Sequence, residues 1–292
     1  MEPRRDQKNL ADFGQDKKLI RSVLYAPFDE RQTYYTNRSR GFLAYPVYDV
    51  LKHMLQENIA VTSIRKADVA GDWDFAFVTA GLMVHHALSM KEGNYVFPLW
   101  LYSEGIPRQE NFSPSFRVFL DDCFDQHYSP EEILGYIYAV LHAPTYRAHY
   151  AEFLRSDFPR IPFPKSAEDF ESLSRLGWAL VEAHLLRQVP SKKLAQYQGK
   201  GDHAVEAVRY VLADKALWIN KTQFFKPVPD NVWNFHIGGY QVLEKYLKSR
   251  KTRALSLDEI NHVSAVADSL AFTIKQMDKI DEAYVVAFPG RG

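Results

Sequence analysis

Cysteine is almost missing from this chain: Cys123 is the only one in 292 residues. A single thiol excludes an internal disulfide framework and any multi-cysteine metal site. It suits a reducing compartment, where a lone cysteine is most often a small buried hydrophobe. Long apolar runs are also missing. No stretch approaches the roughly 20 residues that a membrane-spanning helix needs, and residues 1–18, MEPRRDQKNLADFGQDKK, contain no signal-peptide core. A soluble, cytoplasmic protein with no membrane partner is expected. Net charge is absent too, because 36 Lys and Arg balance 36 Asp and Glu. A free-standing nucleic-acid binder is more often basic, so neutrality weighs against that class, although a local basic face is compatible with overall balance.

Catalytic signatures are likewise lacking. There is no phosphate-binding glycine loop with its lysine, and Gly199-Lys200-Gly201 is too short to be one. His85-His86 with His53 has no carboxylate at ligand spacing, and adjacent histidines on a helix point apart. Asp121-Asp122 lies near Glu131-Glu132, but the glutamates read better as helix-start residues. Cys123 has no activating neighbour. No catalytic residue, metal site or cofactor site is assigned to this chain.

What remains is an ordinary globular mixture, 46% hydrophobic and 25% charged, long enough for one large domain or two intertwined ones. Its centre of organisation is residues 129–165. Ser129, Pro130 and Glu132 form a capping-box start, and Ile133, Leu134, Ile137, Val140 and Leu141 recur at helical spacing. Pro144 ends that helix and starts a second, whose apolar side is Tyr146, Tyr150, Phe153 and Leu154. Asp157-Phe158-Pro159-Arg160-Ile161-Pro162-Phe163-Pro164 then forms a stiff, extended strap. By residue chemistry alone these aromatics belong to a core.

The rest gives an α+β class, a small mixed sheet packed with a helical bundle and strap. Residues 1–20 are a tail or linker. Residues 21–112 hold a turn at Pro27-Asp29 with a strand beyond it, a helix over 47–55, strands over 58–65 and 75–79, and a third strand over 95–102 with Pro98 at an edge or bulge. Residues 113–190 hold helices over 114–124 and 167–186 around the central stretch. Residues 191–285 open with a flexible link over 192–203, then carry strands over 205–210 and 216–219, a short helix or turn at Pro229 and a helix over 242–247. A capped final helix runs from Ser256 to about Ile280. Arg31, Arg38 and Arg40 sit among aromatics and small polar residues, a mixture that contacts phosphate; taken alone, the stretch reads first as a solvated face with a few aromatic anchors.

Several blocks, in order, carry a resemblance: PFDERQTYY (27–35), NIAV (58–61), FPLWLY (97–102), YIYAVLHAPTYR through FPRIPFP (136–164), and INKTQFF through IGGYQVLEKYLKSRK (219–251). Over residues 24–283 the chain resembles the C-terminal specificity region of type ISP restriction–modification enzymes and their type IIG relatives. Family members carry an arginine before the Pro-Phe-Asp, where this chain has Ala26. The resemblance implies a target recognition domain that clamps double-stranded DNA and reads an asymmetric sequence. It further implies companion methyltransferase and nuclease–translocase domains on the same or another polypeptide. S-adenosylmethionine is expected only in the partner methyltransferase, since its glycine-rich loop and Asn-Pro-Pro-aromatic motif are absent here. On that basis Ser63, Arg65, Lys66, Asn220, Lys221 and Gln223 are candidates for reading bases. Arg31, Arg38, Arg40, Lys248, Arg250, Lys251 and Arg253 are candidates for phosphate contact. For Asn220-Lys221-Thr222-Gln223 a hydrogen-bonded turn stands as an equal alternative. For the whole chain, a docking scaffold for a methyltransferase or restriction complex is the second hypothesis.

Overall fold

The structure, a computed structural model, describes residues 8, 10–12, 14, 16–38, 41–67 and 73–290. Strands β1 (Ile20–Ala26) and β2 (Asp29–Tyr34) form an antiparallel hairpin around Pro27 and Phe28. A helical turn at Tyr48–Leu51 leads to β3 (Ala60–Ile64), β4 (Ala76–Thr79), β5 (Leu82–Met83) and β6 (Asn94–Pro98). The central β3 is flanked by antiparallel β4 and β6, while β5 joins β1 in parallel. The strand expected over 95–102 is two strands. The chain breaks at Leu99, whose N–H donates to Ile59, and β7 (Trp100–Ser103) turns away to pair with β8 (Ile106–Glu110). All five residues of β3 are buried, so both faces of this strand are covered.

Helices α1 (Pro114–Phe124), α2 (Pro130–His142), α3 (Pro144–His149), α4 (Ala151–Ser156) and α5 (Ala167–His184) form the middle of the chain. Ser113, Ser129 and Ser166 each accept a hydrogen bond from the N–H three residues on, and Pro114, Pro130 and Pro144 occupy first-turn positions where no N–H is needed. The helix expected after Pro144 is two, because Tyr150 (φ −104°, ψ 19°) leaves helical geometry. The break turns Phe153 into solvent, not into the apolar face. Cys123 is exposed on α1 instead of buried, since that helix packs inward through Arg117 and Leu120.

Helices α2 and α5 cross where Gly135 meets Gly177. A Cβ on Gly177 would collide with the Gly135 carbonyl oxygen and the Ala139 backbone, so the two glycines set the approach. The strap over 158–164 has no regular structure and is held by tyrosines. The Tyr136 hydroxyl donates to the Pro162 carbonyl, and Tyr146 donates to Arg160 at 2.9 Å. The Tyr136 ring stacks between Phe163 and Phe170, with centroids at 5.2 and 4.6 Å.

The C-terminal part carries β9 (Gln196–Gln198), β10 (Arg209–Val211), β11 (Ala216–Trp218) and β12 (Phe224–Lys226) in the order β10-β11-β12-β9. The expected flexible link over 192–203 is therefore partly strand. It is tied to the last helix as well: Leu194 donates to Asp268, and Ser264 donates to Ala195. A small hairpin, β13 (His236–Ile237) and β14 (Tyr240–Gln241), leads into α6 (Val242–Lys248) and α7 (Leu257–Ala287). The last helix runs past Ile280 because Tyr284 is fully buried against Tyr146 and Phe288 and extends the core. One apolar core runs from Leu24 to Phe288 through all three parts of the chain, and the class is α+β.

Within that core lie two histidines. His184 receives the Tyr138 hydroxyl on Nδ1 at 2.5 Å, and its Nε2 donates to Thr273, whose own hydroxyl donates to Ser269. Burial, with the Arg147 charge nearby, pushes His184 down to about 3. Burial also lowers His142, which donates from Nδ1 to the Tyr138 carbonyl.

Candidate nucleic-acid interface

The PFDERQTYY turn and the basic YLKSRK segment, distant in sequence, meet at Asp29. Its carboxylate is wholly buried and accepts from two arginines. Arg250 donates through Nη2 at 2.9 Å and Nη1 at 3.2 Å, and Arg31 through Nη2 at 2.8 Å and Nε at 3.3 Å. The Nε of Arg250 donates to Glu259 at 2.7 Å, and its guanidinium stacks 3.4 Å from the Tyr246 ring centre. Arg253 clasps Glu259 from the other side at 2.5 and 2.8 Å. Burial alone would raise the Asp29 carboxyl, but the hydrogen bonds from Arg31 and Arg250 hold it below its ordinary value. Glu259 is drawn down to about 2, chiefly by Arg253 against the opposing effect of burial, with the Ser256 N–H and Arg250 adding to the shift.

A second framework adjoins the first. The Thr252 N–H donates to the Val205 carbonyl (2.9 Å), the Val205 N–H to the Arg253 carbonyl (3.0 Å), and the Leu255 N–H to the His203 carbonyl. His203 in turn donates to Gln223 Oε1 at 2.9 Å, and Asn220 donates to both Ala204 and Gln223. Asn220 Oδ1 accepts from the N–H groups of Thr222 and Gln223, closing the turn. The loop at 199–201 packs on it so tightly that a Cβ on Gly199 would overlap the Thr222 carbonyl. The two C-terminal candidate groups thus belong to one continuous surface, from which Lys221, Lys248, Lys251 and Arg253 reach solvent.

The sheet end forms another cleft, about 620 Å³, lined among others by Tyr45, Arg65, Lys66, His85 and Tyr95. Arg65 pairs with Asp157 of the strap at 3.1 Å, both side chains being more than half exposed. The N–H of Phe158 and then Arg65 lower the Asp157 carboxyl. Tyr45 and Tyr95 are exposed and tile the rim.

Three of the sequence-based candidates are placed where they cannot touch DNA. Ser63 is inside β3, not in a loop, with its hydroxyl on the Ile64 carbonyl. Gln223 is fully buried and serves the turn. Arg250 is buried and saturated by carboxylates. Asn220 is half-buried with its side chain engaged. Arg31 is partly exposed but shared with Asp29, Lys248 pairs with Glu244 at 2.9 Å, and Arg38 pairs with Asp12 at 2.5 Å. Arg40 lies outside the described residues.

The sequence profile of the Type ISP C-terminal specificity domain matches residues 2–279. The chain belongs to that family. No curated protein matches the chain. Among solved structures the specificity domain is similar in fold to the DrdV–DNA complex, with a TM-score of 0.71, 21% identity, and 91% of this chain against 28% of that one. It is also similar to a nuclease-deletion mutant of the Type ISP enzyme LlaGI bound to a DNA substrate mimic (TM-score 0.68, 18% identity, 91% of this chain and 25% of that one). A third is the ATP-dependent Type ISP enzyme LlaBIII bound to DNA (0.71, 18%, 94% and 19%). The chain therefore spans about a fifth to somewhat over a quarter of the solved structures' chains it matches.

Asp29 and Glu259, the carboxylates that organise three arginines, are not singled out by the sequence pattern as site residues. Glu259 was legible only as a helix cap, a role it also fills by accepting from the Ser256 N–H at 3.0 Å. Asp29 carried a signal in its spacing from Arg31, but its pairing with Arg250, 221 residues away, is a tertiary fact.

Proposed function

We propose that this chain is the DNA target-recognition module of a restriction–modification enzyme, reading double-stranded DNA for modification or cleavage performed by companion domains. Family membership carries this reading, and the surface chemistry supports it. Solvent-facing cations converge from separate loops onto a rigid carboxylate-braced framework, which suits contact with phosphates. The adjoining cleft offers Arg65 and Lys66, the residue types that pair with guanine edges, beside exposed tyrosines. Methyltransferase activity, with the S-adenosylmethionine it uses, and nuclease–translocase activity belong to the companion domains. Such a module acts in the cytoplasm, where the DNA is; among the described residues no helix is long and apolar enough to cross a membrane.

One observation favours a second role beside the first. An apolar cleft of about 380 Å³ opens between β6, α2 and the strap, lined by Phe97, Leu99, Phe112, Ile137, Phe158 and their neighbours. Phe97 stands partly in solvent there. A companion domain docked on this face fits the scaffold hypothesis.

The test is binding to duplex DNA of defined sequence by the unsubstituted chain and by an Arg65→Ala variant. The DNA-reading role predicts that the variant loses sequence preference by about 1–3 kcal/mol at one base pair. A uniform fall in affinity for every sequence would make Arg65 a phosphate contact. Equal binding by both proteins to all sequences would favour the scaffold.

A further inference from the structure

We infer that Lys245, beside Arg31, contacts a phosphate of the DNA backbone, and that Tyr25 and Tyr240 hold the lysine in place for it. The inference rests on the DNA-reading role proposed above. Lys245 Nζ lies 4.6 Å from the Tyr240 ring centre and 5.2 Å from that of Tyr25. The Arg31 guanidinium sits 3.6 Å from the same Tyr25 ring, so two cations from different elements share one aromatic platform. Tyr25 comes from β1, Tyr240 from β14, and the lysine from α6. The Tyr240 hydroxyl is anchored on the His86 carbonyl at 2.9 Å, which fixes the second ring.

The charges around this platform are unbalanced. Among the described residues no ion pair to Lys245 is present, whereas its neighbours Glu244 and Lys248 pair with each other. Asp29 is shared between Arg31 and Arg250. Glu30 accepts from Ser22 at 3.0 Å, on the opposite face of the strand pair. An aromatic face attracts a cation without neutralising it, so Lys245 keeps its full charge for an incoming anion. Because the stem is already held between rings, less side-chain freedom is lost when the anion arrives. The site lies between the two surfaces described above. His86 leads through His85 into the sheet-end cleft, and Arg31 leads through Asp29 into the arginine framework. A phosphate here would set the register of the duplex across both.

The experiment is a salt titration of duplex binding by the chain and by Lys245→Gln, Lys245→Met and Lys245→Arg variants, with thermal unfolding recorded for each. Lys245→Gln keeps most of the stem over the rings and guards against a merely structural loss. Removing one phosphate contact should make the slope of log affinity against log salt shallower by about 0.9. Between 50 and 200 mM salt the charge-removed variants would then lose about threefold less affinity than the unsubstituted chain. Lys245→Arg should keep the original slope, and the ratio of affinities for different sequences should not change. An unchanged slope in the Gln and Met variants overturns the Lys245 phosphate contact and leaves the DNA-reading role standing. A changed sequence preference overturns it also, since Lys245 would then read a base. Absence of salt-dependent binding by the unsubstituted chain overturns the DNA-reading role itself.

Discussion

Arg250 lies against Asp29, Glu259 and the ring of Tyr246, with almost none of its side chain in water. Replacing it with methionine keeps much of the volume but leaves the buried Asp29 carboxylate with Arg31 as its one charged partner and a long hydrogen bond from Ser249 at 3.4 Å. Breaking a buried pair by removing one partner costs about 3 kcal/mol or more, so Arg250→Met should lower the unfolding midpoint by roughly 6–10 °C. A midpoint within 2 °C of the original would mean that Asp29 is satisfied without it. Gln223 and Lys221 separate the same way. Gln223→Ala strips the acceptor from His203 N–H and Asn220 and should cost about 1–3 kcal/mol of stability without altering sequence preference. Lys221→Ala, at an exposed tip, should leave stability unchanged and weaken binding to every duplex alike. The sequence showed that this turn was polar and basic. It did not show that its glutamine faces inward, because that depends on the 199–203 loop folding over it.

At the scale of elements, the capped helix starts were legible nearly to the residue. Ser-Pro at 113–114 and 129–130, and the capping boxes at Ser129 and Ser256, act through local hydrogen bonds that need no distant partner. What could not be read was set by packing. The strand over 95–102 splits after Leu99 because the Asn58 side chain takes both the N–H and the carbonyl of Trp100 in place of a ladder partner, and residues 196–198 become strand only because β12 lies beside them. Tyr136, Tyr138 and Tyr146 of the central helices lie in the core, as their chemistry implies, whereas Phe153 escapes it through the break at Tyr150. The Gly135–Gly177 crossing gives a sharp test. Gly177→Ala raises intrinsic helix propensity but drives a methyl into the Gly135 backbone, so denaturant unfolding should show a net loss of about 3 kcal/mol. A gain in stability would mean the crossing can open.

For the whole molecule, acid is the informative perturbation. His142 and His184 are neutral in the folded core and titrate near 6.5 when unfolded, so the unfolded chain binds more protons below that value. Their folded values are depressed. The stability they contribute is therefore complete above pH 6.5 and is lost as pH falls toward about 3, where His184 itself takes up a proton. Between pH 6 and 4.5 His184 alone makes the free energy of unfolding fall by about 1.4 kcal/mol per pH unit, and His142 adds loss of the same sign. Below pH 4.5 the depressed carboxylates Asp29 and Glu259 add loss of the same sign, Glu259 down to about 2. A flat stability profile between pH 6 and 4.5 would contradict the buried histidine relay.

The formal neutrality of the chain conceals how its charge is placed. Arg250 is opposed by Asp29 and Glu259 inside the fold, the part-exposed Arg31 and Arg253 share the same two carboxylates, and Lys221, Lys251 and the cleft residues Arg65 and Lys66 face outward. The most direct test of a DNA-reading module is selection of bound duplexes from a randomised pool by the purified chain, at two salt concentrations. The account predicts enrichment of one asymmetric sequence that persists at the higher salt. Binding that shows no enriched sequence and vanishes as salt rises would contradict it, leaving backbone contact alone.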